Sequence, residues 1–271
     1  MTFTVGGSEA AAACGVNPHE SRVMLWARKT GKLPPVAESE SMTWGKRLEQ
    51  SIFEALMQDY GMNIWKGGEF RDESRPWMVG HPDAFVRVVD DATFVVDIKT
   101  TSGWNGNSWA EGDAPTAYIL QLHHYMHLTG LDRGLLACLI GGQRLELRYV
   151  ERSDEIVELM LAGEEEFVRL CESDTPPDPD GSESAASALR AMFGGGVERV
   201  RLDRDTLKVL AELRDRDRQY GEVKRQRDKL KQAVQLAMGD AELAVDLSGE
   251  IVARWTTYMR DGKPQRRFTV N

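Results

Sequence analysis

Helices first, then short strands with one helix set among them, then a single long charged helix: this order predicts an α/β (α+β) core followed by a helical appendage. Three observations carry the prediction. Over roughly 63–99 the pattern changes from helical spacing to short β-like runs broken by turn residues. The run DTPPDPDGS at 174–182 is a breaker between two patterned regions. Beyond it, 203–238 is densely charged with a discontinuous apolar stripe. The chain therefore divides into a core domain at 1–175, a linker at 176–202 and a basic helix-and-hairpin extension at 203–271.

Each element has its own signal. Ser8-Glu9-Ala10 opens a short Ala-rich helix that Gly15 closes. A second helix fits 19–30. A third starts after the Ser39/Ser41 cluster and runs to Tyr60, with Gly61 as its stop. Val86–Val89 and Thr93–Ile98 flank Asp90-Asp91-Ala92 and read as a β-hairpin. A Gly/Asn/Trp loop fills 101–114. Pro115 then begins a helix that ends at Thr129 before Gly130. LLACLI and RLELRYV form strands around Gly141-Gly142, and 154–172 is helical. A last hairpin is expected around Asp261-Gly262.

Composition narrows the function. Of the 271 residues, 41% are hydrophobic and 28% charged, as in a protein with a sizeable core. No apolar run reaches the roughly 20 residues of a membrane span, and the start MTFTVGGSEA has no basic and apolar leader, so a cytoplasmic protein without a membrane partner is expected. Cys14, Cys138 and Cys171 lie far apart, which argues against a disulfide scaffold, a structural zinc site and a cysteine-bound iron–sulfur cluster. The net charge of −9 conceals an asymmetry. Residues 1–198 hold 17 Lys+Arg and 31 Asp+Glu; residues 199–271 hold 17 and 12. An acidic body suits a cation site, and a basic appendage suits a nucleic acid. A solvated helix of alternating charge is the plainer alternative for the appendage.

The strongest constellation is GHPDAFVRVVDDATFVVDIKTTS. Asp97 and Lys99, two apart on a strand, share a face. Folding the hairpin brings Asp83 opposite 97–99. A salt bridge would leave one carboxylate unpaired, whereas two carboxylates around a divalent ion, with a lysine beside them, suit phosphodiester hydrolysis. Glu49 adds a third acid on the apolar stripe Ile52, Phe53, Leu56, Tyr60; pairing with Lys46 or Arg47 is its structural alternative. In AYILQLHHYMHLTG, Gln121 and Tyr125 share a helix face. His123 and His127 have a possible zinc spacing, but no HExxH glutamate or third ligand accompanies them. His81, before the Pro-Asp pair, reads as structural or a minor contact.

Together the opening GGSEAAAACGVNPHESRVMLWARKTG, the segment WGKRLEQ, FRDES, Pro82-Asp83 with Asp97-Ile98-Lys99, and Gln121–Tyr125 resemble the phage lambda exonuclease and YqaJ-like viral recombinase family of PD-(D/E)xK nucleases, over about 5–172. The resemblance implies a PD-(D/E)xK restriction-endonuclease-like core, a mixed central sheet flanked by helices. It implies a Mg²⁺-dependent DNA exonuclease, with Mn²⁺ as a substitute and neither zinc nor an iron–sulfur cluster. Such an enzyme degrades linear duplex DNA 5′→3′ to leave 3′ single strands for recombination.

By position, Asp83, Asp97, the Ile98 carbonyl and Glu49 would hold metal, Lys99 would contact the attacking water, and Gln121 and Tyr125 would position the scissile phosphate or first base. Ser8 and Thr100 would touch DNA; Trp104 or Trp109, in the Gly/Asn loop after the catalytic strand, would stack at an unpaired end, with buried tryptophans anchoring an ordinary loop as the equal alternative. Implied partners are double-stranded DNA ends, a single-strand annealing recombinase and further copies of the chain in a trimeric ring. The family's more usual glutamate is Asp97 here, and its basic leader has no counterpart, so the basic extension is expected to supply duplex grip. Two other functions stay open: a DNA-binding or recruiting module for an annealing protein, and a single-strand or structure-specific RecB-like nuclease.

Overall fold

Side-chain caps set the helix starts. Ser39, Ser153 and Asp203 accept hydrogen bonds from the backbone N–H groups of Met42, Ile156 and Thr206, each satisfying a donor that the first helical turn leaves free. The computed structural model describes residues 3–87, 92–103, 109, 114–196 and 199–270. The expectations for Trp104 and for the Asp90-Asp91 turn lie outside the described residues. The chain divides into two compact units, Met1–Gly195 and Gly196–Asn271.

The first unit has helices α1 (Ala10–Ala13), α2 (Arg22–Lys29), α3 (Glu40–Gln58), α4 (Thr116–Thr129), α5 (Asp154–Glu172) and α6 (Glu183–Met192). A 3₁₀ turn, Gly7–Glu9, leads into α1. Its strands are β1 (Val5–Gly6), β2 (Asn63–Lys66), β3 (Phe70–Arg71), β4 (Met78–Gly80), β5 (Ala84–Arg87), β6 (Thr93–Thr101), β7 (Arg133–Ile140) and β8 (Arg144–Glu151). β2, β5, β6, β7 and β8 form a five-stranded mixed sheet in that order, and β1, β4 and β3 a smaller one. β6 and β7 are parallel, joined through α4; the other pairs in the large sheet are antiparallel. Helix α6 falls within 176–202, the segment expected as linker. Its Ala185 and Ala188 pack on Val23, and Ser184 accepts a hydrogen bond from the Ser21 N–H, so it is part of the first unit.

The period of two along β6 sorts the core. Phe94, Val96 and Ile98 join Ile52 and Leu56 of α3 on one face of the sheet. Val95 joins Leu122 and Met126 of α4 on the other. Tyr60, expected on the buried stripe of α3, is half exposed, because the helix stops at Gln58 and Gly61 turns the backbone left-handed.

The second unit comprises α7 (Arg204–Met238) and the strands β9 (Leu243–Val245), β10 (Ile251–Arg260) and β11 (Lys263–Val270). β10 lies between the other two in an antiparallel sheet. No helix among the described residues is long and apolar enough to cross a membrane.

Candidate active site

The site grows from the pairing of β5 and β6. Ala84 lies opposite Val96, so Asp83, one residue before β5, meets Asp97. Asp97 and Lys99 lie on the α4 face of the sheet, the face of Val95, because side chains two apart on a strand point the same way. Asp83 Oδ2 accepts the Ile98 N–H at 2.6 Å. Asp97 is buried; its Oδ1 accepts from Lys99 Nζ and from Gln121 Nε2, each at 3.0 Å. The same Gln121 amide donates to the Tyr125 hydroxyl at 2.9 Å, as their i,i+4 spacing allows. Two carboxylates, an ammonium, an amide and a phenol thus form one connected group, with the Tyr118 ring 5.4 Å from Lys99 Nζ.

Burial sets the proton affinities. It pushes both aspartates above the ordinary carboxylate range. For Asp83 the Asp97 charge adds to this, against the Ile98 N–H and Lys99, and brings it to about 7. Burial opposes the Lys99 charge, but Asp97 and Asp83 outweigh it and hold the ammonium above the ordinary lysine value. Burial and then Asp97 push the Tyr125 phenol to about 12, so it keeps its proton at neutral pH. Asp97 Oδ2 is buried and receives no hydrogen bond from the described residues, although Lys99 Nζ lies 2.9 Å away. A buried carboxylate pair with such an oxygen fits a hard divalent cation.

Glu49 reaches this group through its charge. It is half-buried on α3, which covers the opposite face, and its charge is the weakest of the five influences on Asp83. Among the described residues, no three His, Cys, Asp or Glu side chains converge as a metal-holding group. Of the three acids expected to cluster, Asp83 and Asp97 meet across the strands, and Glu49 acts on Asp83 through its charge. Thr100, two residues beyond Ile98, also faces α3; it lines a cleft of about 250 Å³ with Ser41, Trp44 and Leu48. Trp109 is 1% exposed, seated on Tyr118 in the core, so it is not the stacking surface that a Gly/Asn loop suggests. Ser8 is exposed in the 3₁₀ turn. His123 and His124 commit their ring nitrogens to the fold. His123 bonds the Ile119 carbonyl and the Ser153 N–H; His124 bonds Glu164 and the Val79 carbonyl. His127 pairs with Asp72, and the exposed His81 with Glu69.

Two glycines escaped residue-by-residue reading. A Cβ on Gly7 would stand 2.3 Å from Tyr125 Cε1, so the 3₁₀ turn is pressed directly on the ring. A Cβ on Gly67 would stand 2.0 Å from the Pro82 carbonyl oxygen, and the Gly67 N–H donates to the Asp83 carbonyl. Both buttress the site through backbone that admits no side chain. The Gly-Gly before Ser8 and the Gly-Gly at 67–68 were the only signals available.

Residues 2–132 match the model of the YqaJ-like viral recombinase domain. The uncharacterized protein YqaJ of Bacillus subtilis (strain 168) is 28% identical over 257 residues, covering 88% of this chain and 76% of that protein. The crystal structure of an alkaline exonuclease from Laribacter hongkongensis superposes with a TM-score of 0.54 at 18% identity, over 63% of this chain and 89% of that one. The same exonuclease in complex with dAMP gives 0.52 at 17%, over the same shares. Residues 2–132 are thus similar to the YqaJ-like viral recombinase domain, and the fold that contains them is similar to that of the alkaline exonuclease.

Proposed function

We propose that the first unit is a divalent-metal-dependent exonuclease that hydrolyses phosphodiester bonds from the ends of linear duplex DNA, 5′→3′, leaving 3′ single strands for an annealing partner. One observation carries the reading: Asp83 and Asp97 face each other across β5 and β6, with Lys99, Gln121 and Tyr125 bonded around them. The fold and the recombinase domain support the nuclease class.

Asp83 and Asp97 would hold the ion. The Ile98 carbonyl leaves the strand on the same edge as the N–H that Asp83 accepts, and is available beside them. Bound Mg²⁺, or Mn²⁺ in its place, supplies Lewis-acid polarisation of the phosphate and a more acidic water. Everything else is done by this chain. Lys99, kept charged by the aspartates, orients the attacking water and counters charge developing on the phosphate. Gln121 fixes Asp97 and holds the Tyr125 hydroxyl, whose retained proton can be donated to a phosphate oxygen or the first base. Burial keeps bulk water from competing for these donors.

The test uses end-labelled linear duplex, with 5′-phosphate or 5′-hydroxyl ends, beside a circular duplex, in Mg²⁺ and in EDTA. The linear forms are expected to be degraded from their 5′ ends in Mg²⁺ only, and the circle spared. Lys99→Ala should lower cleavage by about 10²-fold or more while the fold persists. Undiminished cleavage by Lys99→Ala, or cleavage in EDTA, would overturn the reading.

A further inference from the structure

The cations of the second unit are arranged in two ways. On α7 several are matched one turn away: Lys208 with Asp205 at 2.7 Å, Arg218 with Asp215 at 2.8 Å and Arg216 with Glu212 at 3.4 Å. The β10–β11 hairpin instead carries five cations, Arg254, Arg260, Lys263, Arg266 and Arg267, and one carboxylate, Asp261. Arg266 is used internally. It stacks 3.8 Å from the Trp255 ring and donates to the carbonyls of Gly239, Asp240 and Ala241 at the end of α7.

The other four share one face. The register pairs Arg254 with Thr269, Thr256 with Arg267, Tyr258 with Gln265 and Arg260 with Lys263, and residues directly opposite lie on the same side of an antiparallel pair. That face holds four cations, Tyr258, two threonines and a glutamine, and no carboxylate. Arg260 has only Asp261 of the turn, 3.9 Å away; among the described residues Arg254, Lys263 and Arg267 have no ion-pair partner. Arg260 directly opposite Lys263 is a like-charge rung, unfavourable by itself.

The hairpin also projects. β9 pairs with β10 only as far as Arg254, so from Thr256 onward the sheet is two strands wide. Residues 256–260 and 263–265 are all exposed, and Met259, opposite Pro264, is 67% exposed on the second face. Asp261 and Gly262, both at positive φ, form the tight turn at the tip. A two-stranded ribbon with neither face covered is marginal in water and gains from a partner. A row of unmatched cations selects a polyanion for that partner. The major groove of duplex DNA, about 12 Å wide, admits a two-stranded ribbon of this kind.

We propose that the β10–β11 hairpin is a DNA-gripping arm that lies along a groove of the duplex, with its Arg254–Arg267–Arg260–Lys263 face against the phosphates. The choice of duplex DNA rests on the function proposed above; the arm itself is tested by binding alone. Guanidinium and ammonium groups on phosphates carry no base readout, so the grip is independent of sequence.

The experiment titrates full-length protein into a fluorescein-labelled duplex of about 30 bp in EDTA, from 50 to 300 mM NaCl, and reads anisotropy. The variant Arg254→Gln/Arg260→Gln/Lys263→Gln/Arg267→Gln should bind at least about tenfold more weakly at low salt. Its slope of log affinity against log salt should be shallower by about 3–4, near 0.9 per lost phosphate contact. A charge-matched variant on α7, Arg214→Gln/Lys224→Gln/Arg225→Gln/Lys229→Gln, should change the slope by less than about 1. Thr256→Lys, which adds a cation to the same face, should steepen it by about 0.9, a gain that misfolding cannot imitate. An unchanged slope in the hairpin variant, an equal loss in the α7 variant, or no gain from Thr256→Lys would overturn the arm. The first outcome would leave an acidic protein surface as the occupant. Because EDTA stops metal-dependent cleavage, binding without any nuclease activity in Mg²⁺ would overturn the proposed function and leave the arm standing.

Discussion

Helix α4 in the first unit and helix α7 in the second use polar residues in opposite ways. α4 has 14 residues and buries seven of them, among them Gln121, His123, His124 and Tyr125, each bonded to a partner elsewhere in the fold or on the same face. α7 has 35 residues and buries none; its charges pair along its own surface, and Leu207, Leu213, Tyr220 and Leu236 are exposed. A buried polar group is costly unless bonded, so in α4 each polar residue marks a constraint imposed by something else. On α7 a polar residue marks only contact with water. The same residue types therefore carry a site in one helix and solubility in the other, and substitutions should separate the two by an order of magnitude in free energy.

The largest effect is expected at His124. Its Nε2 faces the Val79 carbonyl, which can only accept, so that nitrogen carries a hydrogen; its Nδ1 shares a further proton with Glu164 Oε1 at 2.9 Å. Both side chains are fully buried, and among the described residues Glu164 Oε2 has no hydrogen-bond partner. His124→Ala strands the glutamate and the carbonyl in the core and should cost about 3–5 kcal/mol. Urea unfolding followed by the fluorescence of the buried Trp26 and Trp109 reads this directly. A loss below about 1 kcal/mol would mean that the pair is solvated and the contrast with α7 false.

A smaller effect reaches the site through backbone. Gly7→Ala puts a methyl group within 2.3 Å of Tyr125 Cε1 and 2.7 Å of Cζ, and the ring must move. Overpacking of this kind costs about 1–3 kcal/mol. It also shifts the Tyr125 hydroxyl away from Gln121, and a misplacement near 1 Å can cost about 10²-fold in rate. Cleavage should therefore fall much further than stability. Equal falls in the two, relative to Tyr125→Phe as reference, would assign Gly7 to packing alone.

These two positions also mark how far the sequence can be read. Caps and left-handed glycines are local, so Ser39, Ser153, Asp203 and Gly130 announce helix ends within a residue or two. Strand alternation is equally local, and it carries Asp97, Lys99 and, by one hairpin fold, Asp83. Gln121 and Tyr125 follow from helical spacing once their motif is noticed. What spans the fold leaves no such trace. His124 and Glu164 are 40 residues apart, and nothing in either helix names the other. Trp109 sits among residues of loop composition, yet the sheet and α4 close over it. Glu49 follows the apolar stripe of α3 as periodicity requires, but periodicity does not say which face of the sheet the helix covers.

The smallest effect tests the other side of the comparison. Arg218 and Asp215, one turn apart on α7, meet at 2.8 Å, with side chains 78% and 51% exposed. In water the attraction between such groups is largely offset by their hydration and by the entropy of holding two long side chains still. Measured pairs of this geometry are worth about 0.3–0.5 kcal/mol. A double-mutant cycle with Asp215→Ala and Arg218→Ala, followed by helical ellipticity during thermal unfolding, should give a coupling in that range. At 1 M salt, where the screening length falls to about 3 Å, the coupling should vanish. A coupling above about 1.5 kcal/mol that survives high salt would show that water does not surround this stretch of α7. The helix would then be packed against another surface in solution, and its exposed leucines, rather than its charges, would be the feature to explain.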